Sequence, residues 1–232
     1  MDKEKTITKE YLKTNAITAR YFEKIESRKM DLFFQFTTDK LLALILLVLL
    51  SPIIITLSIW IKLDSKGPIF YRQERVTRYG RIFRIFKFRT MISDADKVGS
   101  LVTVGQDNRI TNVGHIIRKY RLDEVPQLFN VLMGDMSFVG VRPEVQKYVN
   151  QYTDEMFATL LLPAGITSPA SIAYKDEDIV LEEYCSQGYS PDEAYVQKVL
   201  PEKMKYNLEY IRNFGIISDF KVMIDTVIKV IK

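Results

Sequence analysis

Two adjacent carboxylates, Asp123 and Glu124, are the residues of this sequence best placed to do chemistry. They stand in the segment RLDEVPQL, residues 121–128, after a basic stretch and before a proline that suits the first turn of a helix. A carboxylate here can act as a nucleophile or a base, and the neighbouring cations can bind an anion. The alternative is structural, because acids at a helix N-terminus also stabilise its dipole and free amides. Position alone favours neither interpretation.

The composition restricts any chemistry to carboxylates, hydroxyls, arginines and lysines. The 232 residues include one histidine, His115, and one cysteine, Cys185, so histidine-rich or thiolate metal clusters and an internal disulfide are excluded. A single cysteine is typical of a reducing compartment. The length suits one domain of ordinary size with a small appendage.

The charges are distributed unevenly along the chain. Residues 62–121 carry 14 basic and 5 acidic side chains, whereas residues 122–232 carry 10 basic and 17 acidic ones. This asymmetry predicts an anionic partner for the middle of the chain. Nucleic acid, anionic lipid headgroups and a phosphorylated substrate are the candidates.

The longest apolar segment is LLALILLVLLSPIIITLSIWI at residues 41–61, which has no charged side chain and is long enough to cross a bilayer. Ser51 and Pro52 lie at its midpoint, where proline removes a backbone donor and kinks or breaks a helix. Basic residues flank both ends, so charge does not favour opposite sides of the membrane. These features favour a re-entrant hairpin over a straight span. A buried core helix is the alternative, although such helices normally keep a polar face.

The flanking segments have weaker patterns. Residues 1–37 are predicted to be helical, either packed as an amphipathic helix on the membrane or the protein, or solvated as an extension. Residues 69–76 and 81–91 are predicted strands joined by a turn at Tyr79 and Gly80. The spacing of apolar residues predicts a helix over 110–120.

Beyond the carboxylates, a helix is predicted to start at Pro126 and end at Gly134, followed by a rigid turn at residues 140–143 that presents Arg142. The rest of the chain is predicted to be mainly helical. Residues 216–231 have apolar side chains on more than one face, and pack on the domain or touch the membrane.

Four features in this order resemble the bacterial sugar transferase family, the monotopic phosphoglycosyl transferases that act on polyprenyl phosphate. They are the broken apolar helix, KFRTM at 87–91, Arg118 with LDEVPQLFN at 122–130, and GDMSFVGVRPE at 134–144. The resemblance covers residues 36–144. Residues 163–175 resemble the variable substrate-side loop of longer members, and residues 1–35 match nothing in the family. Many members have proline in place of Val141.

The resemblance implies transfer of a phosphosugar from a UDP-sugar to polyprenyl (undecaprenyl) phosphate with release of UMP, as the first step of membrane-linked glycan synthesis. By position, Asp123 would be the nucleophile that takes the phosphosugar covalently, and Glu124 would assist proton removal from the lipid phosphate. Attack on a diphosphate needs a divalent cation and fixed positive charge, so Mg²⁺ held by Asp123 is expected. The predicted phosphate-binding residues are Lys87, Arg89, Arg118 and Arg142.

The expected fold is α+β and mainly helical. A small cytosolic catalytic domain is expected on a re-entrant membrane helix broken at Ser51 and Pro52, with amphipathic helices on the membrane surface. The predicted regions are an N-terminal helical extension at 1–37, the re-entrant helix at 38–62, the catalytic core at 63–145 and a C-terminal helical substrate-side region at 146–232. The expected location is the cytoplasmic face of the inner membrane.

The partners predicted are the UDP-sugar donor, the polyprenyl phosphate acceptor and membrane lipids, and self-association as a homo-oligomer stays open. A second class of function is a non-catalytic adaptor whose basic segment, residues 62–89, binds anionic lipid or a polyphosphate. Nucleic-acid binding is disfavoured because this segment adjoins the membrane element and has no recognisable motif. The sugar and the glycan pathway are not predicted.

Overall fold

A computed structural model describes residues 7–95, 102 and 107–231 of the protein. Within them the chain is mainly helical with two small sheets, which confirms the predicted α+β class. The helices are α1 Lys9–Thr14, α2 Ala19–Ser27, α3 Lys29–Leu49, α4 Ser51–Asp64, α5 Asn112–Lys119, α6 Gln127–Met133, α7 Gln146–Val149, α8 Pro169–Ala173, α9 Glu177–Ser186, α10 Pro191–Ala194, α11 Leu200–Arg212 and α12 Ile216–Ile231. The strands are β1 Phe70–Val76, β2 Ile82–Phe88, β3 Met136–Val139 and β4 Ala164–Thr167.

The apolar segment forms two helices, and the break falls at the predicted position. Helix α3 ends at Leu49 and α4 begins at Ser51, with Pro52 in its first turn. Pro52 has no amide hydrogen to donate to the carbonyl of Val48, and the Ser51 hydroxyl donates to that carbonyl instead, at 2.7 Å. The sequence Ser-Pro therefore ends one helix, starts the next and satisfies the carbonyl left free between them.

The two halves of this broken element pack in separate apolar clusters, and both clusters include side chains of β2. Ala43 of α3 is buried among side chains of β2 and α6, including Phe83 and Leu128. Leu57 and Ile61 of α4 are buried against Phe88, Val113 and Ile117, which lie on β2 and α5. Hydrogen bonds also attach both helices to the domain. In α3, Gln35 donates to the carbonyl of Val139 at 3.1 Å, and at the end of α4, Asp64 accepts from the amide of Val113 at 3.3 Å.

The outer faces of α3 and α4 are apolar and uncovered. Side chains at least half exposed include Leu41, Leu44, Val48, Leu49, Ile55, Ile59 and Leu63. Within the described part of the chain, α3 is the one helix that is long and apolar enough to cross a membrane. It begins at Lys29, ahead of the predicted start at residue 38. An exposed apolar surface this extensive is unusual in a soluble monomer and typical of a surface that contacts lipid or another protein.

Residues 7–27 are not a solvated extension. Leu12 of α1 and Tyr21 and Ile25 of α2 are buried in the largest core cluster, together with side chains of α11 and of a 3-10 helix at Met156–Leu161. The Tyr21 hydroxyl also donates to Glu155 at 2.5 Å. Of the predicted alternatives, packing against the rest of the protein is therefore correct for these helices.

The predicted β-hairpin is confirmed. Strands β1 and β2 pair antiparallel, with Tyr71 opposite Lys87, and the turn contains Tyr79 and Gly80, both at positive φ. Helix α5 also lies where the apolar spacing predicted it, and α6 ends at Gly134 in the left-handed region.

The second sheet was not predicted. Strands β3 and β4 pair in parallel, with Ser137 opposite Gly165, and Val141 continues the pairing as a bridge to Ala164. The two backbones approach so closely that a Cβ on Gly165 would lie 2.2 Å from the amide nitrogen of Gly140. At the predicted turn, Gly140 is a bend and Val141 takes part in this pairing, and residues 163–175 contain β4 and α8 rather than only a loop.

Helix α12 places an acidic residue in an unfavourable environment. Asp219 is buried, and it accepts a hydrogen bond from the Tyr210 hydroxyl at 2.7 Å. Burial raises the pKa of Asp219 to about 7, the hydrogen bond from Tyr210 opposes this effect, and the charges of Asp39 and Asp31 add to it. Elsewhere on its surface α12 carries the exposed apolar side chains Ile217, Phe220 and Val227.

We expect Asp219→Asn to stabilise the protein at alkaline pH. The acid is protonated in the folded state up to about pH 7, whereas in the unfolded chain it ionises near its ordinary pKa of 3.8. Its contribution to stability is therefore complete below pH 3.8 and is lost as the pH rises to about 7. A shift of this size corresponds to ~4 kcal/mol. The amide oxygen introduced by the substitution still accepts the bond from Tyr210, without a charge to bury.

Thermal unfolding in detergent at several pH values measures this effect. The unfolding temperature of the variant should match that of the unsubstituted protein near pH 4 and exceed it by several degrees at pH 8. Asp225→Asn, on an exposed position of the same helix, is the matched control. Equal unfolding temperatures at pH 8 would show that Asp219 is charged in the folded protein without penalty.

Candidate active site

Asp123 and Glu124 lie in a short 3-10 helix, Leu122–Glu124, between α5 and α6. The preceding residue, Arg121, has φ 55°, in the left-handed region that non-glycine residues seldom adopt. This conformation turns the chain sharply after α5, so the two carboxylates follow the basic end of that helix. Arg121 also donates to the carbonyl of Lys175 at 2.6 Å, which joins this turn to the start of α9. No sequence signal distinguishes such a residue.

The two carboxylates do not cap α6 in the described structure. Pro126 occupies the N-cap position, and the first amides of the helix donate to the backbone carbonyls of Val125 and Pro126. The carboxylates instead face cations. The capping interpretation of the pair is therefore not the one that the geometry favours.

Glu124 is held by two cations. Its Oε1 accepts from Lys87 Nζ at 3.0 Å and from Arg142 Nη2 at 2.5 Å, and Arg142 Nη1 reaches its Oε2 at 3.4 Å. Burial by itself would raise the pKa of Glu124, but the charges of Arg142 and Lys87 and their hydrogen bonds hold it well below its usual range. Glu124 is therefore a carboxylate at neutral pH.

Asp123 has a different environment although it is the adjacent residue. Only 14% of its side chain is exposed, and its Oδ2 lies 4.0 Å from Lys87 Nζ, beyond hydrogen-bond distance. Burial raises the pKa of Asp123; the charge of Lys87 opposes this, and the charge of Glu124 adds to it. Two neighbouring acids with pKa values moved in opposite directions are typical of a site where each has its own role.

Lys87 is fixed by the hairpin and by α6. It lies on β2 between Phe86 and Phe88; Phe88 is buried and stacks on Phe70 with ring centroids 5.6 Å apart. The buried Asn130 of α6 accepts from the amide of Phe86 at 2.8 Å and donates to the carbonyl of Arg84 at 3.0 Å. Asn130 therefore fixes strand β2, which carries Lys87, to helix α6, which follows the acidic pair. Its place in the LFN segment gave no hint of this role.

Three of the four predicted phosphate ligands lie near the two carboxylates, and Arg89 does not. Lys87 and Arg142 contact Glu124, and Arg118, in the last turn of α5, lies close enough for its charge to lower the pKa of Asp123. Arg89 is buried elsewhere, and donates to the carbonyl and hydroxyl of Ser65 at 2.7 and 2.8 Å. These bonds cap the C-terminal end of α4, so the geometry gives Arg89 a structural contact and does not bring it to the carboxylates.

The donor atoms at this site suit a hard cation that shares its ligands with a substrate. Within the described residues no group of three histidine, cysteine, aspartate or glutamate side chains could enclose a metal ion. Mg²⁺ does not require such a cage, because it binds through one or two carboxylates together with phosphate oxygens and water. Asp123, whose Oδ2 lies 4.0 Å from Lys87 Nζ, has the ligand type for this role.

The comparisons with known proteins identify a family. The sequence model of the bacterial sugar transferases matches residues 30–232. The match begins one residue after the start of α3, so α1 and α2 lie outside it, and it extends beyond the predicted limits of 36–144 at both ends. No part of the carboxylate site lies outside it.

Several characterised or named proteins are similar in sequence. A UDP-N-acetylgalactosamine-undecaprenyl-phosphate N-acetylgalactosaminephosphotransferase of Aeromonas hydrophila is 36% identical over 193 residues, 82% of this chain and 41% of that protein. A UDP-glucose:undecaprenyl-phosphate glucose-1-phosphate transferase of Escherichia coli is 34% identical over 82% of this chain and 39% of that protein. A putative undecaprenyl-phosphate N-acetylgalactosaminyl 1-phosphate transferase of Bacillus subtilis is 43% identical over 60% of this chain and 72% of that protein. The chain thus spans about two fifths of the first two relatives.

Proposed function

The chain belongs to the bacterial sugar transferase family, and we propose that it transfers a sugar-1-phosphate from a UDP-sugar to undecaprenyl phosphate and releases UMP. The observation that carries this proposal is the pair Asp123 and Glu124, faced by Lys87 and Arg142 beside an apolar broken helix. The names of the similar proteins agree in the lipid acceptor and differ in the sugar. They therefore support the reaction class and leave the sugar open.

In the first step, a carboxylate oxygen of Asp123 attacks the phosphorus that bears the sugar. A bond forms between Asp123 and this phosphorus, and the bond to the bridging oxygen breaks. The bridging oxygen keeps the electron pair and leaves as part of UMP. Asp123 has the better geometry for this role because none of the described cations holds it at hydrogen-bond distance, whereas Glu124 is fixed by two.

Lys87 and Arg142 supply the positive charge that such an attack requires. A carboxylate and a diphosphate repel each other, and fixed cations in a half-buried site reduce this repulsion more than they would in water. In the free protein Glu124 occupies both cations. Phosphate oxygens of the donor would compete for them, and Arg142 offers a planar fork that suits two oxygens at once.

This competition also explains how Glu124 can serve as a base. While Lys87 and Arg142 contact it, its pKa is too low for it to take a proton. When their charge is shared with the substrate phosphates, the pKa of Glu124 rises. Glu124 then accepts the proton of undecaprenyl phosphate, whose oxygen attacks the same phosphorus and releases Asp123 as a free carboxylate.

Mg²⁺ is the cofactor we propose, with Asp123 as its protein ligand. Bound there, it would neutralise charge on the diphosphate and stabilise the leaving phosphate of UMP. Lys87 and Arg142 remain the groups of the chain that orient the donor. Arg118 adds positive charge on the side of α5.

We further propose that α3 and α4 enter and leave the cytoplasmic leaflet on the same side. Their apolar outer faces support insertion, and the break at Ser51 and Pro52 supports a hairpin. Packing of both helices against β2 also supports it, because a straight helix of 21 residues would separate its ends by about 30 Å. The lipid phosphate would then reach Asp123 at the cytoplasmic surface of the inner membrane.

The direct test uses the purified full chain with undecaprenyl phosphate, Mg²⁺ and a panel of UDP-sugars, and measures UMP release and the lipid-linked product. We expect release of UMP with one or a few sugars, dependent on the lipid for multiple turnovers. Liposome binding without UMP release from any UDP-sugar would instead support a non-catalytic adaptor. Transfer of the sugar alone, with release of UDP, would contradict the reaction class.

A further inference from the structure

A second cluster of polar and charged side chains is buried near Arg142. It consists of Glu144, Tyr195 and Lys203, which are 7%, 2% and 4% exposed. The Tyr195 hydroxyl donates to Glu144 Oε1, and Lys203 Nζ donates to the Tyr195 hydroxyl at 3.2 Å and lies 3.8 Å from Glu144 Oε1. Lys203 also donates to Glu177 Oε2 at 2.8 Å. The reaction proposed above uses none of these side chains.

The cluster joins the C-terminal helices to the segment that carries Arg142. Glu144 follows Arg142 by two residues, whereas Glu177 lies on α9 and Lys203 on α11. Tyr195 begins a short π-helix, Tyr195–Val199, between α10 and α11. A π-helix is an uncommon conformation that is often found at functional sites. Here it precedes α11, which carries Lys203.

The backbone around Arg142 is fixed by neighbouring elements. The Val141 carbonyl accepts from Gly165 at 2.9 Å, the Pro143 carbonyl accepts from Arg75 at 3.1 Å, and the Glu144 carbonyl accepts from Val76 at 2.9 Å. The side chain of Glu144 then adds the contacts to Tyr195 and Lys203. The peptide that presents Arg142 is thus held by β1 and β4 through its backbone and by the C-terminal helices through Glu144.

Lys203 also affects Arg142 electrostatically, through the charges of Glu144 and Glu177. Glu144 and Glu177 both carry negative charge close enough to Arg142 to raise its pKa, after the larger effect of Glu124. Lys203 contacts both carboxylates and neutralises part of that charge. Without Lys203, the buried Glu144 and the partly exposed Glu177 would each lose a cation, and their negative charge would compete more strongly with Glu124 and with substrate phosphate for the guanidinium of Arg142.

We propose that Lys203 and Tyr195 are positioning residues for Arg142, and that they act through Glu144 to present its guanidinium to the phosphates of the donor. This inference rests on the proposed function. It assigns the C-terminal region, residues 177–212, a part in donor binding that the carboxylate pair alone does not suggest. It also gives a reason for burying Glu144 and Lys203, because apolar side chains in their place would often be equally or more stable.

The test compares Lys203→Met and Lys203→Arg with Lys205→Met as the matched control. Lys205 is on the same helix, in an exposed ion pair with Glu202 at 2.6 Å. We expect Lys203→Met to raise KM for the UDP-sugar and lower kcat/KM about 10- to 100-fold, because Arg142 is displaced from the donor phosphates. Lys203→Arg should recover most of this loss, and Lys205→Met should match the unsubstituted protein.

Binding of UDP, measured by calorimetry without lipid, separates positioning from general damage. Folded Lys203→Met should bind UDP more weakly, whereas a merely structural role would lower the unfolding temperature and leave affinity unchanged. If Lys203→Met fails to fold, Tyr195→Phe, which removes only one hydroxyl, is the alternative variant. It should weaken UDP binding by a smaller factor.

Unchanged UDP affinity and unchanged kcat/KM in folded variants would overturn the inference while transfer by the unsubstituted protein stands. Absence of UMP release by the unsubstituted protein would instead overturn the proposed function. The two failures are therefore distinguishable in one set of assays.

Discussion

Asp123→Asn is expected to abolish transfer of the phosphosugar, with UMP release reduced by a factor on the order of 10⁴ or more. The amide has nearly the same shape as the carboxylate but cannot form the bond to phosphorus. Because Asp123 makes no hydrogen bond to a cation within residues 7–95 and 107–231, its replacement leaves the contacts of Lys87 and Arg142 with Glu124 in place. Loss of activity would therefore reflect lost chemistry rather than a rearranged site.

The measurement is UMP release under single-turnover conditions, combined with mass spectrometry of the quenched protein. The unsubstituted protein, mixed with the donor in the absence of lipid, should gain the mass of one phosphosugar on a peptide that contains Asp123. Asp225→Asn, which replaces an exposed carboxylate on α12, controls for general effects of removing an acid. Undiminished UMP release by Asp123→Asn would exclude Asp123 as the nucleophile.

Glu124→Gln is expected to separate the two halves of the reaction. The glutamine cannot accept a proton from undecaprenyl phosphate, so steady-state turnover should fall by about 10²–10³-fold. The first step needs no base, because Asp123 attacks as a carboxylate. Loss of the charge of Glu124 also frees Lys87 and Arg142, which both contact it, to bind donor phosphates. One equivalent of UMP per protein should therefore still be released rapidly.

Rapid-quench kinetics distinguish the two steps. A burst of one equivalent of UMP followed by slow turnover would support a role for Glu124 in the second step. If the rate of the UMP burst falls by the same factor as the steady-state rate, Glu124 acts in the first step or only organises the cations. Because the pKa of Asp123 is raised in part by the charge of Glu124, the burst in the variant should also persist to lower pH than in the unsubstituted protein.

Local sequence signals predicted the elements that they specify directly. Pro52 cannot continue the hydrogen bonds of α3, so the break was predictable from one residue. The β1–β2 hairpin followed from alternating side chains around a turn at Tyr79 and Gly80, and α5 followed from apolar spacing. In each case the determining interactions lie within a few residues of one another.

Contacts between distant segments were not predictable in this way. Strands β3 and β4 have four residues each, and their pairing depends on the close approach of Gly140 and Gly165, which no local pattern indicates. Burial of α1 and α2 depends on an apolar surface formed by α11 and the 3-10 helix at Met156–Leu161. The same limitation applies to the contact of Arg89 with Ser65 at the end of α4, which the segment KFRTM does not indicate.

The sequence by itself determined that Asp123 and Glu124 adjoin a basic segment and follow a broken apolar helix, because these are facts of residue order and type. Only the tertiary structure decided that the two acids differ. Lys87 from β2 and Arg142 from beyond β3 form hydrogen bonds with Glu124, whereas Asp123 lies 4.0 Å from Lys87, beyond hydrogen-bond distance. Because charges interact through space, their roles depend on distances that adjacent positions in a sequence cannot specify.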